Sequence, residues 1–143
     1  MTQVVVVDAS LAAMWVMPEP FSEEALKQAD IWAEAGTRLV APFLLMSEIT
    51  NALYKRILRG EIDLLTAQNA LQTALAFGIE LREQPGISSR AITLAQQLRQ
   101  STTYDCHYLA LAEQLDCEFW TGDQRFYRAV KDSVARVRCI GAR

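Results

Sequence analysis

The stretch QVVVVDASLAAMWVM, residues 3–17, changes character at its middle. Its first part, QVVVV (3–7), is a β-branched run without polar alternation, which reads as a strand buried on both faces. From Ala9 the pattern turns helical, and Pro18 and Pro20 end it. A doubly buried strand that runs straight into a helix is the opening of a parallel α/β unit. A carboxylate, Asp8, stands at the junction.

The rest of the chain repeats that alternation. Ser22, with Glu23 and Glu24 behind it, has the form of an N-cap and first turn for a helix through about Ala35, closed by Gly36. RLVA (38–41) reads as a second strand. Pro42 suits the first turn of a long helix that stops at Gly60, and 63–77 carries apolar residues at helical spacing up to Gly78. IELRE (79–83) is a candidate strand, followed by two helices, ISSRAITLAQQLRQ and DCHYLALAEQLD. CEFWT (117–121) is a strand, a short helix follows Asp123, and ARVRCI (135–140) is the last strand. Strands alternating with helices predict a three-layer α/β/α sandwich with a mostly parallel central sheet. No repeat, low-complexity tract or linker divides residues 1–143, so a single domain is expected.

Composition narrows the class. Of 143 residues, 51% are hydrophobic and 22% charged, the balance of a folded globular chain. No apolar stretch approaches the roughly 18–20 residues that span a bilayer. The N-terminus lacks a basic n-region and Asp8 interrupts its apolar run, which predicts a cytoplasmic protein. Three cysteines, Cys106, Cys117 and Cys139, form no CxxC pair, and His107 is the single histidine, so a Cys/His zinc site is rejected. The net charge of −3 argues against a basic coat. The C-terminal segment nevertheless holds Arg125, Arg128, Lys131, Arg136, Arg138 and Arg143 against a single acid, Asp132. Such a segment either grips phosphates locally or is a solvated surface.

In open parallel sheets, ligands sit beyond the carboxyl ends of the strands. Asp8 follows the first strand and Asp123 the late one, so both are expected on that edge. Glu48 lies on or beside the apolar stripe of Leu44, Leu45, Ile49, Ala52 and Leu53, with no cation one turn away. A carboxylate there costs on the order of several kcal/mol unless paired, protonated or bound to metal. Asp105 opens a helix that begins near the same edge. Singly, each aspartate also reads as a turn residue, an N-cap or a charge favoured by the helix dipole. Four acids converging on one edge point instead to a metal site.

With those positions in hand, the chain resembles the PIN-domain family, and within it the toxin ribonucleases of type II VapBC toxin–antitoxin modules. The matching residues are VVDAS (6–10), SEITNAL (47–53), YDCHYLALAEQLDCEFWTGD (104–123) and GDQRF (122–126), in family order over essentially the whole chain. The resemblance implies Asp8, Glu48, Asp105 and Asp123 as catalytic, metal-holding acids. Ser10 and Thr121 would support them, and Asn51 would orient Glu48. It implies RNA as substrate, a homodimer, and a VapB-like antitoxin that inserts a basic side chain into the acidic pocket. His107, two residues beyond Asp105, points away from that side chain and is read as structural.

Carboxylate-only ligation suits Mg²⁺ or Mn²⁺ rather than zinc, and hydrolysis through metal-bound water needs no side-chain nucleophile. Arg125, Arg128 and Lys131 are candidates for gripping RNA phosphates. Trp15 and Trp32 would form a partner groove if exposed. A haloacid-dehalogenase-type site would need an aspartate at Ser10, and a receiver domain's acidic pair and late lysine are absent. A PIN-fold binding module without catalysis, or an RNA-processing nuclease without antitoxin, remains the alternative.

Overall fold

The computed structural model describes residues 3–142. Five strands and seven helices alternate: β1 (Val4–Val7), α1 (Ala9–Val16), α2 (Ser22–Ala35), β2 (Arg38–Ala41), α3 (Leu44–Leu58), α4 (Leu64–Leu75), β3 (Glu80–Leu81), α5 (Ile87–Gln97), α6 (Tyr104–Leu115), β4 (Glu118–Thr121), α7 (Gln124–Val130) and β5 (Val137–Cys139). The strands form one sheet in the order β3-β2-β1-β4-β5, with every pairing parallel. The chain leaves β1 toward β2 and β3, then crosses back to β4 and β5. Strand order therefore reverses between β1 and β4, the place where such sheets form a ligand crevice at their carboxyl ends. α1 packs against α2, α3 and α4, while α5 packs on α6 and α6 on β1 and β4. With right-handed crossovers, the two helix groups cover opposite faces, and the expected three-layer α/β/α sandwich is what the chain forms.

The valine run explains why β1 is central. Val5, Val6 and Val7 are all buried, as expected of a strand with helices above and below. On α6, Cys106, Tyr108, Leu109, Ala110, Leu111 and Ala112 are buried too, so this helix is enclosed nearly all round. Tyr108 stacks on Phe119 of β4 with ring centroids 5.6 Å apart, and Phe119 meets Phe126 of α7 at 6.1 Å.

Some expected boundaries shift for local reasons. Ser22 begins α2 but caps nothing: its hydroxyl accepts from the Glu19 amide and donates to the Met17 carbonyl, both at 3.0 Å, closing the turn between the prolines. The N-cap is Phe21, whose side chain makes no capping bond. Of the candidate strand 79–83, only Glu80 and Leu81 pair with β2. The ladder ends with the Arg82 amide on the Ala41 carbonyl, because the next β2-side amide facing β3, that of Phe43, is taken by the Glu83 side chain at 3.1 Å. Trp15 and Trp32 are each only 5% exposed, so the exposure that a partner groove between them requires is not met. Trp15 instead stacks on Phe77 and Trp32 meets Trp120 edge-on. No helix among the described residues is long and apolar enough to cross a membrane.

Phe119 joins the sheet to α6 and α7 at once. Phe119→Ala is expected to cost about 3–5 kcal/mol, measured by urea denaturation; a loss below 1 kcal/mol would show that this aromatic stack is not central.

Candidate active site

The site is built around Asp8. The β1–β4 register pairs Val7 with Trp120, so the next residue of each strand, Asp8 and Thr121, come out side by side. Asp8 is 3% exposed, and its carboxyl is met by three donors. The Ser10 hydroxyl donates to Oδ1 at 2.7 Å, the Leu11 amide to the same oxygen at 3.0 Å, and the Thr121 hydroxyl to Oδ2 at 2.5 Å. The Leu11 bond also makes Asp8 the N-cap of α1. The two hydroxyls are themselves fixed from behind. Ser10 Oγ accepts from the Gly122 amide at 2.9 Å, and Thr121 Oγ1 from the Asp123 amide at 3.0 Å.

At Gly122 the chain approaches α1 so closely that a side chain would force its neighbours to shift. A Cβ there would stand 2.7 Å from Met14 Cε and 3.1 Å from the Ser10 carbonyl carbon. The turn after β4 thus lies directly on the first turn of α1. Asp123 follows and caps α7, its Oδ1 accepting from the Phe126 amide at 3.0 Å.

Glu48 and Asp105 arrive from α3 and α6. Glu48 is half-buried, and its Oε1 accepts from the Tyr108 hydroxyl at 2.6 Å. Asn51 is exposed and makes no side-chain bond to Glu48; the partner is Tyr108. Tyr108 escaped the sequence reading, although its spacing of three from Asp105 sets both on one face of α6. His107 is half-buried with Nδ1 2.8 Å from the Thr103 carbonyl, and it lies near enough to Glu48 to favour that carboxylate's charged form. Asp105 is half-buried, and no hydrogen bond or ion pair to its carboxyl occurs among the described residues.

These placements set the charges against one another. Burial pushes the Asp8 carboxyl up to about 6, against the pull of Thr121, Ser10 and Leu11, with Glu48 adding to the rise. Asp105 is pushed up to about 7, first by burial and then by Asp8, Asp123 and Glu48. Burial also raises Glu48, while Tyr108 and His107 work the other way. All four acids therefore share one field at the strand-order reversal.

Among the described residues no three His, Cys, Asp or Glu side chains are close enough to cage an ion directly. The donor set still fits a hard divalent cation. It is all carboxylate, it carries no counter-cation, and Mg²⁺ needs only one or two such ligands because it keeps several waters. Arg143 lies outside the described residues, and the other five C-terminal cations divide into two groups. Arg136 and Arg138 pair with Asp116 and Glu118 at the opposite edge of the sheet. Arg125, Arg128 and Lys131, on or just after α7, are exposed and carry no ion pair among the described residues.

Fold and site together define a parallel α/β domain with acids gathered at its switch point. The chain belongs to the PIN domain family, whose sequence profile matches residues 5–132. It is 41% identical over 90 residues to Ribonuclease VapC1 of Mycobacterium tuberculosis, a stretch covering 62% of this chain and 65% of that protein, so the match spans less than two-thirds of that relative. It is 29% identical over 121 residues to Ribonuclease VapC9 of the same organism, covering 85% and 87%. The crystal structure of PAE2754 from Pyrobaculum aerophilum superposes with a TM-score of 0.68 over 94% of this chain and 91% of that one. At 22% identity, that likeness is one of fold.

A carboxyl whose folded pKa exceeds its unfolded value binds its proton more tightly when folded. The resulting stability is full below the ordinary value of 3.8 and is lost as pH rises through about 6 and 7. In EDTA, the melting temperature is therefore expected to fall between pH 5 and pH 8. Asp105→Asn should flatten that fall and add on the order of 1–2 kcal/mol at pH 8; an unchanged pH slope would disprove the shared field.

Proposed function

We propose that this chain is a metal-dependent endoribonuclease, the toxin of a VapBC-type toxin–antitoxin pair. The observation that carries the reading is Asp105: a half-buried carboxylate without a donor, pushed up to about 7 beside three more acids at the sheet's switch point. Like charges gathered without a cation repel one another, and a divalent ion would relieve that repulsion. The family membership and the ribonuclease names of the relatives supply the reaction class.

In this reading Asp8, Glu48, Asp105 and Asp123 hold Mg²⁺ or Mn²⁺. When bound, the ion supplies Lewis-acid polarisation of a phosphodiester and a water of lowered pKa. The protein's own part is positional. Ser10 and Thr121 hold the Asp8 carboxyl in one orientation, and the Asp123 side chain is held by the amino end of α7. Burial keeps the edge low in dielectric, which strengthens every charge interaction there. Arg125, Arg128 and Lys131, free of ion pairs and next to Asp123, are positioned to draw an RNA backbone along the acids.

A second surface supports the partner. Tyr54, Leu58, Leu64 and Leu65 on α3 and α4 are 55%, 67%, 63% and 65% exposed. Between the two helices lies an apolar groove of about 170 Å³, lined among others by Leu53, Ile57, Ala67 and Leu71. Such a groove fits the apolar face of an antitoxin helix. Homodimerisation and a cytoplasmic location belong to the same reading and rest on the family.

The reading is tested with a labelled structured RNA. Cleavage is expected with Mg²⁺ or Mn²⁺, none with EDTA, and a loss of at least about 100-fold in Asp8→Asn and Asp105→Asn. Folded, antitoxin-free protein that cleaves none of several RNAs would favour a binding module. The α7 cations predict a separate effect. Replacing Arg125, Arg128 and Lys131 with Ala should weaken RNA binding and flatten its salt dependence by roughly 2–3 in log–log slope, leaving metal affinity unchanged. Equal slopes would remove these residues from the RNA path.

A further inference from the structure

We propose that Tyr108 is a positioning residue that sets the orientation of the Glu48 carboxyl from inside the core. The proposal rests on the acidic-site reading above and assigns that site a further participant. Tyr108 is fully buried, and its ring is clamped on Phe119 at an interplanar angle of 11°. Its hydroxyl projects to Glu48 Oε1 at 2.6 Å, the length of a charge-assisted bond. No other side-chain hydrogen bond joins α3 to α6 among the described residues, although these helices belong to opposite layers. Among the described residues Glu48 Oε2 receives no donor, so one oxygen is fixed while the other is available.

The chemistry explains why a tyrosine stands there. Phenylalanine would fill the same space without burying a hydroxyl, which is costly unless the hydroxyl is bonded. Lysine or arginine would bond Glu48 but cancel its charge and compete with any cation. Tyrosine orients the carboxylate and leaves its charge intact. Burial and the neighbouring acids push the Tyr108 hydroxyl far above its usual range, so it remains a donor. A rigid side chain with two rotatable torsions, locked by stacking, transmits the geometry of the core to a residue on another helix.

The test is Tyr108→Phe, which keeps the stack, read by Mn²⁺ affinity from electron paramagnetic resonance and by circular dichroism melting. The dissociation constant for Mn²⁺ is expected to rise about tenfold, the lower end for loss of a group supporting a metal ligand, with the melting temperature nearly unchanged. In a Glu48→Ala background the same substitution should have no effect on Mn²⁺ affinity. Unchanged affinity in the single variant, or an equal loss in both backgrounds, would overturn the proposal while leaving the acidic site standing. Wild type that binds no Mn²⁺ would overturn both.

Discussion

Asp8 is a carboxyl group taken out of water at the end of a strand, and much of the surrounding architecture is the supply of donors to it. One donor is the first turn of α1, and two are hydroxyls, one of them carried on the neighbouring strand β4. Because those hydroxyls also accept from the Gly122 and Asp123 amides, the arrangement of Asp8 passes directly into the turn that launches α7. The donors offset only part of the desolvation, since the carboxyl still lies near 6. What remains is a residual demand for positive charge at the crevice where strand order reverses. The fold creates that demand in order to have a parallel sheet with an acid at its centre.

The alternation of strands and helices is readable because β1, β2 and β4 are short, largely apolar runs, each followed within three residues by a helix. The valines of β1 left little room for another reading. Asp8 and Asp123 were legible because strand direction alone sends them to one edge. Glu48 was legible as an acid beside an apolar stripe. The partners of these acids were harder. Tyr108 looks like one more core aromatic in YDCHYLALAEQL, and its hydroxyl's target lies 60 positions earlier on another helix. Asn51 is the support that the family resemblance implies for Glu48, yet side-chain direction on α3 takes it to solvent. A large apolar ring in a helix carries no sign of whether it faces the core or a partner; Trp15 and Trp32 take the commoner course and face the core.

The charged residues follow a similar division. The basic C-terminal run looked like one feature, but the crossing from α7 to β5 sends its members to opposite ends of the sheet. Arg136 is spent on the end of α6, bonding the Ala112 and Cys117 carbonyls at 3.3 and 2.8 Å. Among the described residues of that run, Arg125, Arg128 and Lys131 are the ones without an ion pair. Local sequence cannot express that difference, because it arises from where a three-residue strand is paired.

The helix-capping duty of Asp8 and Asp123 bears on how selection would act on this chain. Each spends one carboxyl oxygen on the first turn of a helix, as Asp63 does at α4, far from any chemistry. A lineage that gave up catalysis would still be held to a capping side chain at both positions, and asparagine would satisfy it. Retention of these two aspartates therefore records architecture as much as activity. Asp105 caps no helix and bonds to no side chain among the described residues, so it is the position at which descent without function would first become visible.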